Sequence, residues 1–310
     1  MTRKSVTILV PVYNEEASLP ILKAALDEIT EKESSYAWQM LFVNDGSRDG
    51  SLDLLKAMQE DDERVRWIDL SRNFGKENAM LAGFDHCKTD AVIVLDADMQ
   101  QPPTLIPQML RAWEQGAEDV YGRRTNRDTD PWLRRQFSKA FYRVLKQISR
   151  FEVLENVGDF RLLDRKCVEA LRALRETERY TKGMFSWIGF KKQEISFTYG
   201  ERVAGTSNWD SRSLFHLAWN GITSFSTFPL RMVSVIGILT AFIAFAYMVW
   251  VFTKAIIWGD PVAGYPTIMT VMLFLGGLQL LSIGVIGEYL GKVYFEAKKR
   301  PVYFVREKSE

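Results

Sequence analysis

Asp96, Ala97 and Asp98 close an apolar run, Ala91 to Leu95, and set two carboxylates two residues apart. On a strand that spacing sends both side chains to one face, where they repel unless a cation lies between them. Mg²⁺ meets the need by taking one or two carboxylates together with phosphate oxygens and water. The pattern therefore predicts a divalent ion holding a diphosphate. Two upstream clusters extend the idea: Pro11-Val12-Tyr13-Asn14-Glu15-Glu16 and Asn44-Asp45-Gly46-Ser47 each follow an apolar run. Either alone reads as a polar turn that caps the next helix. Taken with the Asp-x-Asp element, they predict a nucleotide lying across neighbouring strand ends, its base near Asp45 and its diphosphate on the metal, with Glu15 alongside.

The surrounding pattern supplies the scaffold. Val6–Val12, Met40–Asn44, Arg66–Leu70, Ala91–Leu95 and Asp119–Tyr121 read as short strands, several continuously apolar as expected for strands covered on both faces. Ala17–Thr30, Ser51–Glu60, Lys76–His86 and Leu105–Gln115 read as the intervening helices. This alternation predicts an α/β fold with a parallel, doubly wound sheet, which binds ligands at the carboxyl ends of its strands.

Further along, Val233–Thr253 and Pro266–Gly287 are apolar runs, each of a length to cross a bilayer. Lys292, Lys298, Lys299 and Arg300 follow the second run, whereas Lys254 is the sole basic residue between the two. The positive-inside rule then puts the carboxyl tail, and with two spans the amino-terminal domain, in the cytoplasm. Leu214–Phe228 interleaves aromatic and aliphatic residues with polar ones, as an interfacial amphipathic helix does. Gly276, Gly277, Gly284, Gly287 and Gly291 predict close helix packing, within or between chains.

Composition limits the alternatives. A net charge of +1 across 310 residues, 25% of them charged, argues against a nucleic-acid binder. Cys87 and Cys167 form neither a disulfide framework nor a metal spacing and are expected in the core. His86 and His216 show no ligand spacing either. Arg3 and Lys4 lead directly into the first strand pattern, so no signal peptide is expected.

The motifs resemble glycosyltransferase family 2, whose catalytic domain has the GT-A fold. Asn73-Phe74-Gly75-Lys76, Gln100 to Pro103, Gly158-Asp159-Phe160-Arg161 and the two carboxyl-terminal apolar runs are similar to the polyprenyl-phosphate glycosyltransferases, including bactoprenol glucosyltransferases and dolichyl-phosphate mannose synthases. The resemblance implies transfer of a sugar, glucose from UDP-glucose by the nearest likeness, to a polyprenyl phosphate such as undecaprenyl phosphate, with inversion at the anomeric carbon. It implies that Asp96, Asp98 and Gln100 hold Mg²⁺ or Mn²⁺ and the diphosphate. Pro11, Tyr13, Glu15 and Asp45 would line the base and ribose, with Lys76 nearby. Arg124, Arg134 and Ser138 would bind the acceptor phosphate; the last two stand one helical turn apart. Asp159 is the implied catalytic carboxylate, either receiving a residual proton or orienting the attacking oxygen.

Arg202-Val203-Ala204-Gly205-Thr206-Ser207 resembles the family's Arg-x-x-Gly-x-Ser loop, but Asn208 stands where many relatives have lysine. Arg202 or Arg212 is the cation expected to compensate. The expected organisation is a cytoplasmic GT-A domain (Rossmann-like, mostly parallel sheet) over 1–210, an interfacial helix at 211–229, a two-helix transmembrane domain at 230–291 in the cell membrane, and a cytoplasmic tail at 292–310. Family likeness adds a homo-oligomer, with a tetramer as one option. Two other readings stay open: a processive polysaccharide synthase, against which Glu63 precedes Arg66-Trp67 where that class has Gln-x-x-Arg-Trp, and a non-enzymatic nucleotide-sugar-binding membrane protein.

Overall fold

The computed structural model describes residues 3–124, 157–177, 179–197, 228–258 and 264–309. The chain divides into two compact units, Met1–Leu214 with Pro301–Glu310, and Phe215–Arg300.

The first unit is built on an eight-stranded sheet. Its strands are β1 (Ser5–Val12), β2 (Ala37–Asn44), β3 (Val65–Leu70), β4 (Ala91–Val94), β5 (Asp119–Arg124), β6 (Val157–Asp164), β7 (Lys192–Phe197) and β8 (Val305–Lys308), in the spatial order β7-β5-β6-β4-β1-β2-β3-β8. Helices α1 (Leu19–Lys32), α2 (Ser51–Asp61), α3 (Lys76–His86) and α4 (Ile106–Glu114) alternate with the strands, and α5 (Arg165–Ala173) and α6 (Thr181–Trp187) follow β6. The central strands are apolar at consecutive positions because both faces are covered: Ile8, Leu9, Val10, Phe42, Ile93 and Val94 are all fully buried. Each such side chain contributes about 1.5–3 kcal/mol of burial. Leu19, Leu22, Leu26 and Ile29 recur at helical spacing and form the inward stripe of α1. On the other side α3 lies so close to β1 that a Cβ on Gly83 would fall 2.2 Å from Leu9 Cδ1.

The alternating pattern located the first five strands and four helices to within a few residues. Strand direction departs from a wholly parallel sheet. β6 pairs antiparallel with both β4 and β5, and β8 pairs antiparallel with β3, while the other six strands run one way. A side-chain pattern records which face of a strand is covered and is the same read in either direction, so neither reversal is visible in it. The residues after 300, expected as a cytoplasmic tail, instead supply β8 at the edge of this sheet.

The second unit contains α7 (Phe228–Trp258) and α8 (Tyr265–Ala297), which contact each other. Their outward side chains are large and apolar, including Ile238, Phe242, Phe274, Leu280 and Ile283, each more than 60% exposed. Among the described residues one helix, Phe274–Ala297, is long and apolar enough to cross a membrane by length and composition, and Met232–Tyr247 is a shorter apolar stretch. A Cβ at Gly276, Gly277, Gly284, Gly287 or Gly291 would meet nothing within 4 Å among the described residues. Among the described residues, then, no neighbour is packed against the positions of those glycines. The expected interfacial helix at 211–229 lies outside the described residues except for its last two positions.

Candidate active site

Three adjoining loops gather at the carboxyl ends of β1, β2 and β3. After β1, Asn14 takes a left-handed backbone (φ 56°); its amide donates to Ser47 Oγ at 3.0 Å and its Oδ1 accepts from the Arg48 amide at 2.8 Å. Glu15 is fixed similarly, its amide donating to Ser51 Oγ at 2.9 Å and its Oε2 accepting from Ser18 Oγ at 2.5 Å. Pro11 is half-buried beside Val43, while Tyr13 is 42% exposed at the rim. After β2, Gly46 (φ 66°) passes so near the next loop that a Cβ would lie 2.6 Å from the Arg72 carbonyl carbon. Only glycine fits there.

Asp45 is buried, and its two carboxylate oxygens accept the Phe74 and Gly75 amides at 2.7 and 2.9 Å. Burial pushes its carboxyl up against the pull of those amides. The residue thus organises the 71–75 loop at the place where a base was expected. That loop leads directly into α3, whose first residue is Lys76.

β4 ends at Val94, so Asp96 and Asp98 stand in the loop and turn that follow it and not on the strand from which a shared face was expected; both are half-buried, on either side of the buried Ala97. Asp96 Oδ2 accepts from Gln101 Nε2 at 2.9 Å, and Asp98 Oδ1 accepts from the Gln100 amide at 3.2 Å. The chain turns sharply at Met99 (φ 59°). A metal was expected to neutralise this pair; on Asp96 the structure already provides an ammonium. Lys76 Nζ lies 2.6 Å from Asp96 Oδ1 and 2.6 Å from Asp159 Oδ2. Lys76 therefore pairs with the carboxylates while directly following Gly75, whose amide donates to Asp45.

Asp159 comes from the reversed strand β6. Its Oδ2 is held by Lys76, while its Oδ1 is buried and makes no hydrogen bond among the described residues. Burial would push its carboxyl up, but the charges of Lys76, Lys182 and Arg161 outweigh it and hold it down at about 2. Lys76 is raised in turn, burial being overcome by Asp96 and Asp159. Beside them is Glu77, a residue the sequence reading did not single out. Burial and the Asp159 charge push it up to about 7, and its Oε2 accepts from the Thr181 amide at 3.0 Å at the start of α6. Its position next to Lys76 in the first turn of a helix was the available signal.

Arg161 stands two residues after Asp159 on β6 and is almost fully buried. It donates to both oxygens of Asp119 at 2.9–3.0 Å and lies 3.6 Å over the Phe185 ring. Arg161 was part of the Gly-Asp-Phe-Arg motif but had no assigned role. Of the expected acceptor-phosphate residues, Arg124 ends β5 and its side chain lies outside the described residues, as do Arg134, Ser138 and Arg202. Cys87 and Cys167 are buried, and burial pushes the Cys87 thiol up to about 12. His86 caps a helical turn through Ala82 O.

Comparison with known sequences bears directly on this arrangement. The profile of Glycosyl transferase family 2 matches residues 7–172, which contain the three loops and Asp159. The chain belongs to glycosyl transferase family 2. Its mostly parallel Rossmann-like sheet is the GT-A arrangement of that family, and the chain is a glycosyltransferase. A GtrB C-terminal hairpin profile matches residues 228–293, the region of α7 and α8. The family 2 chain is 41% identical to a bactoprenol glucosyl transferase of Shigella phage SfV, over 98% of this chain and 99% of that one. It is 42% identical to a prophage bactoprenol glucosyl transferase homolog of Escherichia coli K12, over 97% and 98% of the two chains. An uncharacterized glycosyltransferase of Synechocystis is 40% identical over 97% and 94%.

Proposed function

We propose that this glycosyltransferase moves a hexose, glucose from UDP-glucose, onto the phosphate of a polyprenol such as undecaprenyl phosphate, with inversion and release of UDP. The observation that carries the reading is similarity to the Shigella phage bactoprenol glucosyl transferase over nearly the whole of both chains, catalytic domain and hairpin alike. An acceptor phosphate oxygen attacks the anomeric carbon from the side opposite the donor diphosphate. The new C–O bond forms as the bond to the diphosphate oxygen breaks, and UDP departs with that electron pair.

The donor set suits a hard divalent cation. Asp96 and Asp98 would offer carboxylate oxygens and Gln100 an amide oxygen, Asp96 by exchanging its present contacts with Lys76 and Gln101; among the described residues no group of three or more His, Cys, Asp or Glu is placed to hold a metal by itself. Such a set leaves positions for phosphate oxygens and water, which is how Mg²⁺ or Mn²⁺ is commonly held beside a nucleotide. When bound, the ion would neutralise charge on the departing diphosphate.

Asp159 is better suited to orienting than to deprotonating. A phosphomonoester loses its second proton near pH 6, whereas, against the upward push of burial, Lys76, Lys182 and Arg161 hold this carboxyl well below the usual carboxylate range, which makes it a poor proton acceptor. Its buried Oδ1 and its charge instead support alignment of the acceptor and of Lys76, whose ammonium can draw either phosphate group towards the anomeric centre. Pro11, Tyr13, Glu15 and Asp45 would shape the base and ribose side. Arg124, Arg134, Ser138 and Arg202 would hold the acceptor phosphate.

The apolar exteriors of α7 and α8 support a membrane position for the hairpin, with both spans crossing the cell membrane, the 211–229 segment at its surface, and the catalytic domain and carboxyl terminus on the cytoplasmic side. For the domain limits the reading keeps 1–210, 211–229 and 230–291, with the residues after 300 assigned to the catalytic domain whose sheet they enter as β8. Homo-oligomerisation through the open glycine face of α8 belongs to the same reading.

The test is direct. Membranes containing the protein, undecaprenyl phosphate, Mg²⁺ or Mn²⁺ and labelled UDP-glucose should yield a labelled glycolipid and UDP. Binding of UDP without glycolipid from any nucleotide sugar would replace the enzyme reading with that of a sensor.

A further inference from the structure

Beyond the catalytic cluster, one unbroken chain of polar contacts leads from the carboxyl-terminal strand to the loops at the ends of β1 and β2. It begins at Arg306 on β8. Its Nη2 donates to Ser71 O at 2.6 Å, and its Nη1 lies 3.4 Å from Asp69 Oδ2. Asp69, on β3, is 1% exposed, and its Oδ2 makes no hydrogen bond among the described residues. Its Oδ1 accepts from Asn44 Nδ2 at 2.7 Å. Asn44 Oδ1 accepts from Ser47 Oγ at 2.5 Å, and Ser47 Oγ accepts the Asn14 amide at 3.0 Å. The contacts thus pass from β8 through β3 and β2 to the turn after β1.

The same strand grips the loop that holds Asp45. Phe304 O accepts the Ser71 amide at 2.9 Å, and the Phe304 and Phe74 rings lie 6.3 Å apart. Phe74 and Gly75 then donate their amides to Asp45. Tyr303 ties the segment to α3 through Asp85 at 2.7 Å.

A buried carboxylate without a cation is costly, and its loss of orientation would propagate to whatever it hydrogen-bonds. Lys56 also lies in the neighbourhood, but it is engaged by Glu307 at 2.9 Å. Arg306 is the cation whose removal exposes Asp69 to that cost.

We infer that Arg306, contributed by the carboxyl-terminal strand, is a positioning residue for the nucleotide half of the site: by neutralising Asp69 it fixes Asn44, Ser47 and Asn14, and through Ser71 the loop that holds Asp45. It acts through these residues and touches no substrate. The inference rests on the donor site assigned in the proposed function.

Full-length protein in detergent tests it in two ways. Hydrogen exchange needs no ligand: Arg306→Ala should speed exchange at the Asn14, Phe74 and Gly75 amides and leave the amides of α4 unchanged. UDP binding should weaken at least about fivefold, with KM for UDP-glucose rising while kcat changes less. Arg306→Lys should recover most of the affinity. Asp69→Asn placed in the Arg306→Ala background should do the same, because it keeps the acceptor for Asn44 and removes the uncompensated charge. Unchanged exchange at those three amides, or a double variant no better than Arg306→Ala alone, overturns the inference. Failure of the wild-type protein to bind UDP would overturn the donor assignment, while the exchange experiment would still decide the role of Arg306 in ordering the loops.

Discussion

The Lys76 ammonium lies 2.6 Å from Asp159 Oδ2, joining the first residue of α3 to the reversed strand β6 across 83 positions of sequence. The same nitrogen is 2.6 Å from Asp96, so one cation bridges carboxylates from the loop after β4 and from β6. That contact leads to the first prediction.

Asp159→Asn keeps the shape of the side chain and removes its charge. Transfer should fall by about 10²–10³, the cost of losing one well-placed electrostatic group, while UDP affinity stays within a few-fold of wild type. Steady-state kinetics with labelled UDP-glucose measures both. Wild-type turnover in this variant would take Asp159 out of the reaction.

The proposed function assigns a divalent ion to Asp96, Asp98 and Gln100 and so predicts metal dependence. Chelation should stop transfer, and Mg²⁺ or Mn²⁺ should restore it. In Asp98→Ala the metal concentration needed for half activity should rise by at least about tenfold, corresponding to a lost contact of about 1.4 kcal/mol. Full activity in chelator would dismiss the ion.

Glu77 should make stability depend on pH. Its folded value of about 7 lies above the unfolded value of about 4.3, so the unfolded chain ionises first. Stability therefore declines as pH rises from about 4.3 to 7, because ionisation of the folded form is the harder step. Asp159 has the opposite sign, its contribution being lost as pH falls from about 4 towards 2. Thermal melts of wild type and Glu77→Gln at pH 5 and 7.5 should differ in slope, the variant losing less stability at the higher pH. Parallel slopes would contradict the assignment.

Arg161 and Asp119 form an ion pair in which each side chain is 1% exposed. Arg161→Met should cost about 3–5 kcal/mol, since it strands a buried carboxylate. Adding Asp119→Leu should recover much of that loss, because a packed apolar pair is often no worse than a buried ionic one. Chemical denaturation of the three proteins reads the difference. A double variant as unstable as the single would locate the effect in packing against Phe185.

Much of the site was legible because its signals are local. Consecutive apolar residues at Ile8–Val10 and Ala91–Val94 mark strands covered on both faces, and the helical stripe of α1 marks the element between them. The turn residues after β1 and β2, and the two-residue spacing of Asp96 and Asp98, then place polar groups at strand ends. Periodicity specifies which way a side chain faces within its own element.

Periodicity is silent about neighbours from distant parts of the chain. Only tertiary packing brought Lys76 against Asp159, set β6 between β4 and β5 in the reverse direction, and returned residues 301–309 to the edge of β3. Those pairings arise from hydrogen bonds and burial shared between segments tens to hundreds of residues apart, and no spacing within either segment encodes its partner. The chain by itself determined an α/β sheet with acidic turns at its strand ends, followed by apolar runs; the fold decided which cation neutralises which carboxylate. Charge separation across a folded site depends on distances in space, and only the assembled sheet sets those.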